Sequence, residues 1–337
     1  MTPSDWAAPG AFEVAPSVFR IPLPLPNDGL KTVNVYALVG GDGLVIIDTG
    51  WAVQEGREAL AAGLALLGLG LGDITRFLVT HVHRDHYTLG CQLRSEFGMT
   101  VSLGEGERDT LAVATAPGHQ DLALHVEYMR RLGAAGLAEQ LSAEAEFEDP
   151  ESWELPDDWM SGGDVVEVND RTLDVVATPG HTHGHVVFHD GAGALLFAGD
   201  HVLPTITPSV GFEGVLHPNP LGDYLRSLEV VRRREDAMLL PAHGNVGPSV
   251  HQRVDELLHH HGIRLRETAV AVSTGASTAH EVAGQLRWTR HERTLSELNP
   301  FNQMLAVSET NAHLLLLEAQ GVVSTAVECG VEYHQSR

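Results

Sequence analysis

Apolar residues along this chain fall into short runs that stop at glycine, proline, histidine or aspartate. Ser17–Leu23, Val33–Val39 and Gly43–Ile47 read as strands, and Gly40-Gly41-Asp42-Gly43 between the last two is a hairpin signal. Residues 53–68 carry apolar positions at helical spacing and predict a helix packed on a sheet. The run Ala59–Leu71 is too short and too glycine-rich to span a bilayer. Buried strands are predicted at 77–80, Leu173–Thr178, Ala194–Ala198 and Met238–Leu240. Residues 91–97 read as a short helix and Leu122–Leu141 as one longer helix, with Met129, Leu132 and Leu137 among its apolar positions. Leu221–Arg232, begun near Pro220, is amphipathic through Leu225, Leu228 and Val231.

Beyond residue 250 the pattern changes. Val250–Thr268 reads as a long helix. Thr278-Ala279-His280-Glu281 is a capping box before a short second helix. Asn302–Gln320 reads as a third, with Leu305, Leu314 and Leu317 at core spacing. Val322–Val327 and Val331–His334, joined through Gly330, read as a β-ribbon. Three helices and a ribbon make a winged-helix-like arrangement, which predicts two domains: a large one over 1–250 and a small C-terminal one over 251–337. Residues 105–160, ending in the acidic, tryptophan-containing stretch Glu144–Asp158, read as a helical insertion that can lie over a site as a lid. Trp153, Trp159 and Met160 either line an apolar pocket there or pack in the core.

The residues that end the strand-like runs carry the chemistry. The run at 77–80 leads into His81-Val82-His83-Arg84-Asp85-His86, three imidazoles and a carboxylate. Pro179-Gly180-His181-Thr182-His183-Gly184-His185 follows the next, Gly199-Asp200-His201 the third, and Pro241-Ala242-His243-Gly244 the fourth. Open sheets place active sites just past their strands. Neutral imidazole nitrogen and carboxylate oxygen suit zinc and, less selectively, iron or manganese. His81 and His83, two apart, point the same way in an extended segment.

The order His-x-His-x-Asp-His, Gly-His, Gly-Asp, Ala-His-Gly over residues 17–250 resembles the metallo-β-lactamase superfamily of metal-dependent hydrolases. Asp48, in Val45-Ile46-Ile47-Asp48-Thr49-Gly50, matches that superfamily's early strand-end aspartate. The resemblance implies an α/β fold, a four-layered αββα sandwich with two metals between the sheet edges. It places His81, His83 and His181 on the first metal and Asp85, His86 and His243 on the second. Asp200 would bridge them, and Asp48 would orient a ligand through its far nitrogen. His183, His185 and His201 match no ligand position and read as supports of the ligands or as ordinary packing. Two Zn2+ ions per chain are expected, with iron or manganese left open. Redox members with a di-iron centre carry glutamate where His83 stands, so imidazole there favours zinc hydrolysis; a single iron, as in persulfide dioxygenase-like relatives, stays open.

Charge arithmetic fits a hydrolytic site. Two divalent ions bring four positive charges, and Asp85, Asp200 and a bridging hydroxide remove three. The remainder can stabilise an oxyanion, and water at such a site is acidified to a pKa of roughly 7. Asp85 can hold the nucleophile and pass its proton on; Asp200 fixes both ions. A small carbonyl ester is the expected substrate: a thioester as in the glyoxalase II-like group first, an ester or lactone second. Glyoxalase II proteins hold glutathione through basic residues of a helical C-terminal domain, which this chain replaces. Lactonases carry a tyrosine soon after the bridging aspartate, and here Asp200 is followed by His201-Val202-Leu203. Tyr87 could serve in its place or simply pack beside His86. Thr205–Gly211 reads as a loop at the mouth.

Composition then narrows the partners. The chain has 337 residues, 43% hydrophobic, enough for one large and one small domain. Its formal charge of −24, from 21 basic and 45 acidic residues, opposes binding to phosphate backbones. The C-terminal part resembles the winged-helix domain of the branch that includes lactamase-like protein 2, some members of which cut single-stranded RNA. The third helix here holds Glu309 and Glu318 but no lysine or arginine, a poor phosphate reader. A small-molecule substrate and a wall or dimer contact for this domain are expected instead. Arg232-Arg233-Arg234 reads as a helix C-terminus. Cys91 and Cys329 form no metal-type pair, which fits a reducing cytoplasm, and Met1–Trp6 has no signal-peptide pattern.

Overall fold

The computed structural model describes residues 6–26, 29–41, 43–116, 121–145, 153–213 and 215–337. Strands β1 (Phe12–Ala15), β2 (Val18–Pro24), β3 (Thr32–Gly40), β4 (Gly43–Ile47), β5 (Ile74–Leu78), β6 (Thr100–Gly104) and β7 (Asp158–Met160) form one sheet in that order. Its first four strands are antiparallel neighbours, and β4 through β7 run parallel. Strands β8 (Val165–Val168), β9 (Arg171–Ala177), β10 (Val186–Asp190), β11 (Leu195–Gly199) and β12 (Met238–Pro241) form a second sheet, ordered β12-β11-β10-β9-β8.

The two sheets face each other, and the alternation of side chains builds the layers. In β5, Leu78 points into the interior between the sheets with Tyr36, Ile47, Phe188 and Phe197. Its neighbour Phe77 points outward, against helices α1 (Gln54–Leu66) and α2 (Arg84–Phe97) through Leu60, Leu64, Leu89 and Leu93. On the far side Leu196 and Leu239 pack on helices α6 (Pro220–Arg232) and α7 (Val250–Ser273) through Leu221, Leu228, Val254 and Leu257. Helix, sheet, sheet and helix thus stack in four layers.

Between β6 and β7 run α3 (Arg108–Ala114), α4 (Asp121–Arg131) and α5 (Ala135–Ala145). After α7 come α8 (Ala279–Gln285), α9 (Pro300–Ala319) and the ribbon β13 (Val323–Glu328) with β14 (Val331–Ser336). Met129, Leu132 and Leu137 of the insertion share one core with Val272, Val282, Met304 and Leu314 of the tail. The predicted capping box before α8 forms: Glu281 N donates to the Thr278 hydroxyl, and the Glu281 carboxylate accepts from Thr278 N. α9 is started by Asn299, whose side chain accepts from Asn302 N, with Pro300 at the first helical position.

Two helices differ from expectation. The single helix over 122–141 is two, because Gly133 takes a φ of 82° and ends α4; a side chain there would meet Thr278 Cβ at 2.7 Å. The short helix over 91–97 begins already at Arg84. In the β3–β4 hairpin Gly40 pairs with Gly43; Asp42 of that turn lies outside the described residues, as do residues 146–152 of the acidic stretch and Met1–Asp5 of the N-terminus. Among the described residues no helix is long and apolar enough to cross a membrane.

Candidate metal centre

The early start of α2 explains the geometry of the densest motif. His81 leaves β5 and His83 is the N-cap of α2, so the first two imidazoles precede the helix. Asp85 and His86 occupy its first turn, where the helix dipole favours a carboxylate. His181 follows β9, Asp200 follows β11 and His243 follows β12. All seven predicted ligands converge: His81, His83 and His181 form one group of potential ligands, Asp85, His86 and His243 a second, and His81, His86 and Asp200 a third that overlaps both, with ligand atoms in each within 4.8 Å of one another.

In the first group, His81 Nε2 and His181 Nε2 each lie 3.0 Å from His83 Nδ1. The opposite ring nitrogens fix the protons. His181 Nδ1 faces the Ser209 carbonyl at 2.7 Å, an acceptor only, so it carries the hydrogen. The Thr80 hydroxyl donates to Asp48 at 2.9 Å, so it must accept from His81 Nδ1 at 3.0 Å. Both Nε2 atoms are therefore bare lone pairs aimed at a shared point. Burial, followed by the neighbouring imidazoles, holds His81 well below its usual pKa. Burial and His181 take His83 to about 3, and burial takes His181 to about 4.

The second group follows the same logic. His86 Nδ1 donates to Asp48 Oδ2 at 3.0 Å, and His243 Nδ1 donates to the Thr32 carbonyl at 2.8 Å. Their Nε2 atoms and Asp200 Oδ1 are buried with no hydrogen-bond partner. Each points at the others: His86 Nε2 is 3.6 Å from Asp85 Oδ2 and 3.7 Å from Asp200 Oδ1, and His243 Nε2 is 3.4 Å from both oxygens. Asp200 reaches the first group too, with Oδ2 3.4 Å from His181 Nε2. Burial opposes a charge on His86, but Asp85, Asp48 and Asp200 outweigh it and raise its pKa to about 10. Burial likewise opposes a charge on His243, and Asp200 and Asp85 raise its pKa nonetheless. This end of the site attracts positive charge. Orphaned buried donors of this type, converging from separate strands, fit two divalent cations.

The supports are as ordered as the ligands. Asp48 Oδ1 also accepts from Thr80 N at 2.8 Å. Asn34 Nδ2 and the Tyr36 hydroxyl, both on β3, donate to the Pro241 carbonyl at 3.0 and 2.7 Å and fix the turn that carries His243. Of the two roles open to it, His185 takes that of a support: its Nε2 accepts from Asp200 N at 3.2 Å, and its ring stacks on His81 at 4.9 Å. His201 is buried against Tyr224 at 5.3 Å, and His183 stacks on His217 at 3.9 Å. Tyr87 is fully buried, its hydroxyl donating to the Glu154 carbonyl at 2.7 Å, and so does not face the metals. Trp153 stacks on Tyr87 at 6.2 Å, Trp159 lies under Arg108 at 4.2 Å, and Met160 is buried between the sheets, so these three pack.

Four residues near the site have no sequence signal. Glu107 Oε1 accepts from the Thr182 hydroxyl at 2.5 Å and Val82 N at 3.4 Å, clamping the two loops that carry the first group. Glu213 accepts from His183 N at 2.7 Å. Burial raises Glu107 to about 7, and burial with Glu107 nearby raises Glu213 to about 8. Single acids among 45 do not stand out in a sequence. Phe212 has its ring 6.2 Å from that of His83, and His125 of α4 stacks on Phe212 at 4.4 Å. That pair connects positions far apart in the chain.

Residues 28–243 match the profile of the metallo-beta-lactamase superfamily. Over 334 residues the chain is 26% identical to the probable metallo-hydrolase YqjP of Bacillus subtilis (strain 168), covering 94% of this chain and 96% of that protein. It is 33% identical over 267 residues to the atrochrysone carboxyl ACP thioesterase AgnL7 of Paecilomyces divaricatus, covering 78% of this chain and 67% of that protein. The crystal structure of a metallo-beta-lactamase family protein from Thermus thermophilus superposes with a TM-score of 0.80 at 30% identity, covering 96% of this chain and 100% of that one.

Proposed function

The chain belongs to the metallo-beta-lactamase superfamily and is a metal-dependent hydrolase, and on that premise we propose that it hydrolyses a small acyl thioester with two zinc ions. His81, His83 and His181 would hold one ion, Asp85, His86 and His243 the other, and Asp200 both. When bound, such ions polarise a carbonyl oxygen and acidify water. The protein's own part is to aim bare imidazole nitrogens at the ions and to take up a proton at the Asp85 carboxylate.

The tyrosine hydroxyls near the site favour a leaving group that needs no acid. An alkoxide is strongly basic and needs a proton as it departs, whereas a thiolate of pKa about 8.5 leaves unaided near neutral pH. The hydroxyls of Tyr36, Tyr87 and Tyr224 are all committed to backbone carbonyls, of Pro241, Glu154 and His201. None of the three is free to act as an acid. None of them can assist Asp85 in protonating an alkoxide, a thiolate needs no such help, and this carries the thioester reading, with the thioesterase named among the relatives in support.

The insertion at 105–160 serves as a lid in this proposal, supported by the stacking of His125 on Phe212. The C-terminal domain over 251–337, winged-helix-like in its element order, takes α4 and α5 into its core and walls the site, with Phe301 of α9 edge-on to Phe212 at 5.8 Å. A nucleic-acid role has little support: Arg232, Arg233 and Arg234 are paired with Asp255, Glu229 and Asp174. A cytoplasmic location is part of the proposal, supported by two unpaired cysteines, Cys91 buried and Cys329 exposed.

The test is metal analysis of the purified protein with a panel of acyl thioesters, oxygen esters, lactones, single-stranded RNA and a persulfide. Thioester turnover is expected, with two zinc ions lost when the seven main-site ligands are replaced. RNA cleavage, or oxygen uptake with a persulfide and one iron, would overturn the proposal.

A further inference from the structure

A second cluster of metal-ligating side chains lies outside the centre just described, between α7 and α9. His260 and His261 on α7 and Glu309 on α9 each bring a ligand atom within 4.8 Å of the other two. Two imidazoles and a carboxylate are a donor set that suits zinc.

The protons around His261 are fixed by a relay. His313 Nδ1 faces the Glu309 carbonyl at 2.7 Å, an acceptor only, so that nitrogen carries the hydrogen. His313 Nε2 is then bare and accepts from His261 Nδ1 at 3.3 Å. This leaves His261 Nε2 as a lone pair. His261 is 0% exposed, and this nitrogen has no hydrogen-bond partner. A buried imidazole acceptor left unsatisfied costs stability unless something fills its site. Arg264, one turn further along α7, pairs with Glu267 at 3.2 Å and lies over the face of Trp288 at 4.2 Å, while its charge also acts on Glu309 and both imidazoles. His260 is exposed, which gives an ion an entry path and leaves room for water to complete its coordination.

We infer that His260, His261 and Glu309 form a further zinc site, oriented by His313, that ties α7 to α9. Its position gives it a consequence for the main centre. The residue before Glu309 is Ser308, whose carbonyl lies 3.0 Å from where a side chain at Gly211 would begin. The segment packed there contains Ser209, the carbonyl that holds His181. An ion pinning α9 therefore stiffens the backing of a main-site ligand.

The full-length protein, stripped of metal and reloaded with Zn2+, is desalted and its zinc counted by mass spectrometry. Wild type is expected to hold one zinc more than His260→Ala and one more than Glu309→Gln. The extra zinc should raise the thermal midpoint of wild type and of neither variant. His260 is exposed and Glu309→Gln is nearly isosteric, so both variants should fold. No difference in zinc count overturns the site, whatever number the main centre holds. A loss in His260→Ala without a loss in Glu309→Gln also overturns it, because that pattern marks adventitious binding to a surface histidine.

Discussion

Asp48 accepts the Nδ1 hydrogen of His86 at 3.0 Å while its own backbone stands at a φ of 59°. A non-glycine residue in the left-handed region is held there by its surroundings. Here the Thr80 amide and hydroxyl both bind Asp48 Oδ1, and Asp48 N donates to the Leu78 carbonyl at 3.0 Å. The strain delivers one carboxylate to two groups: His86 directly, and His81 through Thr80.

Asp48→Asn tests that role without disturbing the backbone, since asparagine tolerates positive φ. It removes the charge that sets the His86 tautomer. Metal affinity at the Asp85, His86 and His243 group should fall roughly 10–100-fold, with the fold intact. Zinc titration against a competing chelator measures this. An unchanged affinity would show that Asp48 serves the backbone alone.

Asp200→Ala should act on both groups at once, because Asp200 Oδ2 faces His181 and Oδ1 faces His86 and His243. Most turnover and one or both main-site ions should be lost. Full turnover with an unchanged metal count would sink the bridging assignment.

Gly180→Ala addresses the approach of the His181 loop to α6. Gly180 has a φ of 141°, and an added side chain would land on the Tyr224 backbone. Overpacking of this kind costs about 1–3 kcal/mol, with the positive φ adding to it. The thermal midpoint and zinc content should fall together. A variant of wild-type stability would mean that the loop has slack not evident in its packing.

Stability should also carry a pH dependence from Glu107. Its usual pKa of 4.5 is raised to about 7 by burial. Between those values the unfolded chain has released the proton and the folded one still holds it, so stability falls as pH rises from about 4.5 to about 7. At about 1.4 kcal/mol per unit the effect is on the order of 3 kcal/mol. Glu107→Gln keeps an acceptor for Thr182 and removes the titration. Denaturation of the zinc-loaded protein at about pH 5 and about pH 8 should show a smaller decline in the variant. Equal declines would place the titration elsewhere.

The strand-end motifs were legible because each ligand follows an apolar run: His81 after β5, His181 after β9, Asp200 after β11 and His243 after β12. The start of α2 was not, because Arg84, Asp85 and His86 are all polar, which hides helical periodicity. β10, Val186–Asp190, was obscured by the histidine-rich turn before it. The split between α4 and α5 depends on a tertiary contact of Gly133 with Thr278, invisible to local pattern. Glu107, Phe212 and His125 became site residues only through the packing of loops distant in sequence.

Phe212 offers the most direct test of where the acyl chain lies. Its ring is 6.2 Å from that of His83, stacked on His125 at 4.4 Å and edge-on to Phe301 at 5.8 Å. It is partly exposed, so an apolar group held over the first metal group can cover it. Burying part of a phenylalanine face against a substrate chain stabilises the complex by about 1–2 kcal/mol at ~25 cal/mol per Å2. That corresponds to roughly tenfold in kcat/KM. Phe212→Ala should keep its metal and its turnover of an acetyl thioester, and lose about tenfold in kcat/KM on a medium-chain one. Equal losses on both substrates would mean that Phe212 supports His83 and does not contact the chain. A loss of metal would point the same way, because the ring would then be holding the imidazole and not the substrate.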